Sequence, residues 1–259
     1  MMPPANSHLA LDVEAVVETG AEALLLDLDG TLTVGDCAVG GAALVLERFN
    51  GRYAVITNNS SDLPETISQR LYRCGLAVPP SLVFTAGMAT IDYLADMNLP
   101  TIAFLSPALR AHAIARGVPF VEEEAEIVAI GRDTNFDYAA LARAANAVRR
   151  GAKLVASNLD DRHPGAAGSL VPETGALVAA VLAAAGSQCI QVIGKPTPHL
   201  AERALGVLGY PASRSVVVGD NLATDGALAY AIGAAFVPVT VGAAFQSVAL
   251  LRKNARAEL

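Results

Sequence analysis

The sequence contains no tryptophan, only three cysteines and four histidines, and aromatic residues make up 5% of its 259 positions. Few aromatics with abundant alanine argue against a β-sandwich and for a helix-rich α/β chain. Cys37, Cys74 and Cys189 are an odd number without CxxC or zinc-type spacing. That excludes a disulfide framework and reads as structural thiols in a reducing compartment. No apolar run approaches the roughly 20 residues needed to cross a bilayer, and the Ala-rich stretch Gly175 to Ala185 is only about ten long. The 18 basic residues, against 25 acidic ones for a formal net charge of −7, are scattered rather than clustered. Nucleic acid is therefore not an expected partner, and neither is a membrane. Met1 to His8 has two prolines and no apolar run, so it reads as a loose arm rather than a signal peptide, and the expected location is cytoplasmic.

What the sequence does have is a rhythm of short apolar runs alternating with helical stretches. Ala23 to Asp27, an apolar run ending at an acid, Tyr53 to Thr57 and Leu82 to Phe84 read as buried strands. Helices are expected through Leu44, Leu46 and Phe49, from Leu63 to Cys74 with Pro64 in the first turn and Gly75 as the stop, and from about Gly87 to Met97. The rhythm continues with strands at Thr101 to Leu105, Ile127 to Ile130 and Leu154 to Ala156, and helices at Ala108 to Arg116 and Tyr138 to Arg150. This alternation predicts a doubly wound parallel sheet, with a separate α/β domain inserted over residues 99–188. The flanking segments, 1–98 and 189–259, form a discontinuous core in this reading. Cys189 to Ile193 and Ser215 to Gly219 are expected to resume the first sheet, and Ala235 to Val239 to add a last strand.

Reactive groups sit where these strands end. Ligands of open α/β sheets gather beyond the carboxyl ends of the strands. Asp27-Leu-Asp29-Gly-Thr31, Thr57-Asn58-Asn59, Gly194-Lys195-Pro196 and Gly219-Asp220 with Thr224-Asp225 each follow an apolar run. A single acid at a strand end is more often a cap or turn residue; four such positions together point to a ligand. Asp27 is placed to attack phosphorus as an aspartyl nucleophile, and Asp29 to protonate the leaving alkoxide and then deprotonate a water. Two acids so close repel, which calls for a divalent cation. Asp220 is a suitable hard oxygen ligand, Asp225 completes or orients the shell, and Mg²⁺ suits oxygen ligands facing a phosphate. Thr57 and Asn58 offer a hydroxyl, an amide and backbone N–H groups to phosphoryl oxygens, while part of the Asn59 to Asp62 run reads as helix capping. Lys195, between glycine and proline, is placed to neutralise the nucleophile and the transferring group.

These residues resemble the haloacid dehalogenase-like (HAD) superfamily. The likeness rests on DxDGT at Asp27 to Thr31, Thr57-Asn58-Asn59, Lys195 and GDxxxTD at Gly219 to Asp225. Val55 to Ser60, Val192 to Pro198 and Gly219 to Leu222 resemble its NagD-like, p-nitrophenyl-phosphatase-like branch. The resemblance implies a Rossmann-like α/β core with a large inserted α/β cap. It implies an aspartyl-phosphate mechanism with Asp27 as nucleophile, Asp29 as acid/base and Lys195 as the catalytic cation. It further implies Thr57, Asn58 and Asn59 on the phosphate, and Mg²⁺ held by Asp27 and Asp220 and by the Asp29 backbone carbonyl, with Asp225 behind these ligands or reaching the ion through water. The stretch Val155 to Pro164 resembles the family's substrate-facing loop, which makes Asn158, Asp160, Arg162 and His163 candidates for leaving-group recognition. Ser157 stands where threonine is more usual, and Leu32 to Cys37 lacks the aromatic or arginine often found there.

The expected activity is thus Mg²⁺-dependent hydrolysis of a small-molecule phosphomonoester of the sugar phosphate, nucleotide, pyridoxal phosphate or phosphoglycolate type. A homodimer through the cap is a further expectation from the resemblance. Carbon–halogen displacement needs neither an Asp29-type acid nor a metal, so dehalogenation is disfavoured. A phosphomutase or phosphotransferase would keep the same acids, and a catalytically weak phospholigand-binding protein would keep the same site. The motifs leave both open.

Overall fold

Runs of three to five apolar residues form the strands of two separate sheets in the computed structural model, which describes residues 9–164, 169–186 and 189–241. The expected loose arm over Met1 to His8 lies outside the described residues. The chain divides into two compact units, one of residues 1–56, 67–83 and 201–259, the other of residues 57–66 and 84–200. Residues 99–188 all fall in the second.

The first unit is built on a five-stranded sheet in the order Ala235–Pro238, Ser215–Gly219, Ala23–Leu26, Tyr53–Thr57, Val83–Thr85. Ser215–Gly219 runs parallel to both of its neighbours, and Ala23–Leu26 runs parallel to Tyr53–Thr57. All four residues of Ala23–Leu26 are buried, which explains why the strand reads as a continuous apolar run rather than an alternating one. Helix Pro64–Arg73 contributes Ile67 and Leu71, one turn apart, to the same core as Leu24, Leu26, Val55 and Val218. It stops before Gly75, whose φ of +81° suits only a residue without Cβ. Strand order reverses at Ala23–Leu26: later strands add on one side, and the strands nearest the C-terminus on the other. That is the kind of point where open sheets bind ligands.

The second unit has its own four-stranded, all-parallel sheet: Ile190–Val192, Lys153–Ala156, Ile127–Ile130, Thr101–Phe104. Its core, including Phe104, Val128, Ile130, Leu154 and Val181, is distinct from the first. Helix Pro107–Ala115 is capped by Ser106, and Tyr138–Arg149 by Asp137, each side chain accepting from a backbone N–H three residues on. One expectation is corrected here. Cys189 to Ile193 does not resume the first sheet, because Ile190–Val192 pairs with Leu154–Ala156 in the second. The three-residue stretch Ile-Gln-Val carries no information about which sheet it joins, and the pairing continues past the strand in ladder bonds from Ile193 N to Ala156 O and from Gly194 N to Ser157 O. A hairpin not expected from sequence pairs Arg162–Pro164 with Leu170–Pro172. Among the described residues, no helix is long and apolar enough to cross a membrane.

Candidate active site

Asp27 continues the central strand by one residue. Its N–H donates to Val218 O at 2.9 Å, so the residue after Leu26 lies beside Gly219 and Asp220 of the neighbouring strand. Asp27 and Asp225 are buried, Asp220 is exposed, and carboxylate oxygens of the three lie within 4.8 Å of one another. Two glycines make room for this. A Cβ on Gly30, whose φ is +91°, would fall 2.1 Å from an Asp220 carboxylate oxygen, and one on Gly219 would fall 2.2 Å from an Asp225 oxygen. The glycines of both motifs are thus required by the acids packed against them, and at Gly30 by backbone conformation as well. Asp225 sits in the π-helical turn Leu222–Gly226, with Asn221 N–H donating to its carboxylate at 3.2 Å.

Like charges this close repel by on the order of 3 kcal/mol per pair at an effective dielectric of about 20. A divalent cation among them turns that repulsion into attraction, and an all-oxygen donor set of this kind suits a hard cation. The residues therefore fit a metal ion. Asp29 stands apart from the three, its side chain 63% exposed and 3.4 Å from Arg70 Nη2. At that distance and exposure the pair contributes little to stability. Arg70 was not singled out in the sequence, where it reads as an ordinary basic residue in the last turn of a helix.

The second unit carries the other motif residues. Thr57 is buried at the strand end, and its Oγ1 accepts from Asn59 N–H at 3.1 Å. Asn59 is engaged locally: its Oδ1 accepts from the N–H groups of Ser61 and Asp62, and its Nδ2 donates to Asp62. Asn58 instead reaches Lys195, accepting from its N–H at 2.8 Å and donating to its carbonyl at 3.2 Å. Asn58 Nδ2 also donates to Asp160 Oδ2 at 3.1 Å, and Asn158 Nδ2 donates to Asn58 O at 2.6 Å. Lys195 is buried, and Gly194 ahead of it has no room for a side chain.

Arg162 and His163 lie on the unexpected hairpin. Arg162 is exposed; His163 Nδ1 is 2.6 Å from Glu173 Oε1, which also faces Arg132 Nη1 at 3.5 Å. Neither Glu173 nor Arg132 was foreseen. The turn signal Pro164-Gly165 followed by Gly168-Ser169 announces a hairpin, and a hairpin brings Glu173 back toward His163. Nothing comparable marks Arg132.

Residues 24–119 match the model of the haloacid dehalogenase-like hydrolases, and residues 192–257 match a HAD-hydrolase-like model. The acid sugar phosphatase of Staphylococcus haemolyticus is 34% identical over 207 residues, 78% of each chain. The chain belongs to the haloacid dehalogenase-like hydrolases. Within that family this hydrolase is NagD-like: the structure of NagD from E. coli K-12 superposes with a TM-score of 0.79 at 27% identity, covering 87% of this chain and 90% of that one. The glycerol phosphate phosphatase Rv1692 of Mycobacterium tuberculosis, in complex with magnesium, superposes at a TM-score of 0.78 with 31% identity, covering 88% of this chain and 71% of that one. The HAD hydrolase described here is a phosphatase, an α/β protein of parallel sheets with flanking helices.

Proposed function

We propose that this phosphatase hydrolyses a small-molecule phosphomonoester through an aspartyl-phosphate on Asp27. The observation that carries the reading is the Asp27, Asp220 and Asp225 group at the end of the central strands, with oxygens within 4.8 Å of one another. Asp27, Asp220, Asp225 and the Asp29 backbone carbonyl would hold Mg²⁺, which supplies the positive charge that offsets the phosphoryl oxygens as charge shifts in the transition state. A carboxylate oxygen of Asp27 attacks phosphorus, the ester P–O bond breaks, and Asp29 donates its proton to the departing alkoxide. Asp29, now ionised, takes a proton from water; the water oxygen attacks phosphorus, and inorganic phosphate leaves as the Asp27 carboxylate is restored. The exposed position of Asp29 supports this role, since a shuttle must reach both the alcohol and water.

In the same proposal Thr57 and the N–H of Asn58 bind phosphoryl oxygens and Lys195 supplies positive charge. Asn59 is left out, since its side-chain oxygen and amide are both taken by the capping turn. The alcohol side of the ester belongs to the inserted α/β domain, with Arg162 and His163 as its contacts. The names of the relatives favour polyol and sugar phosphates among the candidate alcohols. The test is phosphate release from p-nitrophenyl phosphate with Mg²⁺ and with chelator. Asp27→Asn is expected to lose at least about 10⁴-fold in kcat while its Tm stays near wild type. Undiminished release from that variant would remove Asp27 as nucleophile.

A further inference from the structure

We infer that Asn58, Asn158 and Asp160 are positioning residues for Lys195, so that Asn158 and Asp160 act on phosphoryl transfer itself rather than on the choice of alcohol. The inference rests on the reading of Lys195 given above. The observation is a closed ring of hydrogen bonds among Asn58, Asn158 and Asp160, from which Asn58 reaches the Lys195 main chain, all within the second unit. The Asn58 amide brackets the Lys195 main chain on both sides, accepting from its N–H at 2.8 Å and donating to its carbonyl at 3.2 Å. The same amide group donates to Asp160 Oδ2 at 3.1 Å, so both of its N–H bonds are committed. Asn158 in turn donates to the Asn58 carbonyl at 2.6 Å and accepts from Asp160 N–H at 3.0 Å, and it is 1% exposed.

A leaving-group contact needs a side chain directed at a ligand. Asn158 has its oxygen and one N–H engaged by the protein and almost no surface. A brace, by contrast, needs what this ring supplies. Lysine carries its charge on a flexible four-carbon stem, so the ammonium is only as well placed as the backbone that carries it. Fixing the N–H and the carbonyl of one residue fixes its Cα and the direction of its Cβ. Gly194 adds to this, since a Cβ there would meet Asn58 Oδ1 at 2.5 Å and Ser157 O at 2.6 Å, leaving the loop one path. Electrostatic stabilisation tolerates little misplacement, about 1 Å being worth up to 10²-fold in rate.

The experiment measures kcat and KM of the full chain with Mg²⁺ on p-nitrophenyl phosphate, glycerol phosphate, a sugar phosphate and a 5′-nucleotide. Asn158→Ala and Asp160→Ala are expected to lower kcat about 10- to 100-fold by a common factor for all esters. Asp160→Asn, which keeps an acceptor for the Asn58 amide, should restore most of that loss. Adding Asn158→Ala to Asn58→Ala should cost no more than Asn58→Ala alone. Losses that differ more than about tenfold between alcohols, or an Asp160→Asn variant as poor as Asp160→Ala, would overturn the inference. If Asn158→Ala does not fold, the two Asp160 variants carry the test. Lys195→Ala separates the two levels: full activity there removes the reading of Lys195, whereas a dead Lys195→Ala with alcohol-dependent Asn158→Ala losses removes the positioning role alone.

Discussion

In the first unit, Asp27, Asp220 and Asp225 bring like charges within 4.8 Å of one another, whereas in the second, Asn58, Asn158 and Asp160 match donors to acceptors around the Lys195 main chain. The first arrangement gathers oxygen donors suited to a hard cation. The second matches donors to acceptors within the protein and needs no ligand to hold its shape. A crowd of one charge sign therefore marks where a cation would sit, and a ring of satisfied amides marks where geometry is held for something else. Substitutions in the first unit should change the response to Mg²⁺, and those in the second should not.

The largest expected effect on activity in this comparison is at Asp220. Asp220→Asn removes one of the three grouped carboxylates, so the rise in melting temperature that Mg²⁺ gives the wild type should largely disappear in the variant. Activity should fall at least about 100-fold. A variant that Mg²⁺ stabilises as much as it does the wild type would mean that Asp220 is not a metal ligand, and the contrast between the units would lose its first half.

Gly194→Ala attacks the second half. The added Cβ meets Asn58 Oδ1 and a backbone carbonyl, so the ring must open or the loop must shift. A cost of about 1–3 kcal/mol is expected, with a loss of kcat at least about tenfold and Mg²⁺ affinity unchanged. Calorimetric Mg²⁺ titration alongside kinetics checks this. A variant weakened in metal binding to the same degree would show that the two groups do not act separately.

How much of this could be read from the sequence follows the same division. The Asp27 motif was legible because its pattern is local, an apolar strand ending at an acid with a glycine turn after it, although what crowds that glycine is the remote Asp220. Asp220 and Asp225 were legible for the same reason, as a strand end and the turn after it. The Asn58 bracket was not, since its partners are 100 and 137 residues away and the amide looks the same whether it faces a ligand, a cap or a remote backbone. Asn59 shows the other outcome one position later, spent on the capping turn that its Ser-Ser-Asp context announces. Cys189 to Ile193 reads as a strand of the first sheet but pairs in the second, because a short run interrupted by Gln191 does not record its neighbour. Arg132 and Glu173 were missed because an ion pair assembled by two elements leaves no periodicity in either.

A charged group of mixed sign should behave unlike the carboxylates. Glu173 faces His163 and Arg132, its side chain 15% exposed. Removing its charge by Glu173→Gln should therefore destabilise by about 1 kcal/mol with or without Mg²⁺. The difference should shrink in high salt, as screening weakens the half-exposed partners. Urea midpoints at low and high salt measure it, and a variant as stable as wild type would place this group with ordinary surface pairs.

The smallest expected effect reaches the first unit through a neutral group. Tyr53 opens the strand Tyr53–Thr57, is buried, and donates its hydroxyl to Ala77 O at 3.3 Å. Burial holds its phenol above the ordinary value of 10.0. The folded chain thus keeps this proton to higher pH than the unfolded chain does. Stability from the shift is complete below about pH 10 and falls as pH rises through the folded value, because the unfolded state loses its proton first. Tyr53→Phe should cost up to about 1 kcal/mol at neutral pH through the lost hydrogen bond, and should flatten the alkaline decline. The two unfolding curves should therefore converge as pH rises above 10. Curves that stay parallel would show that the first unit's response to alkaline pH does not pass through this tyrosine.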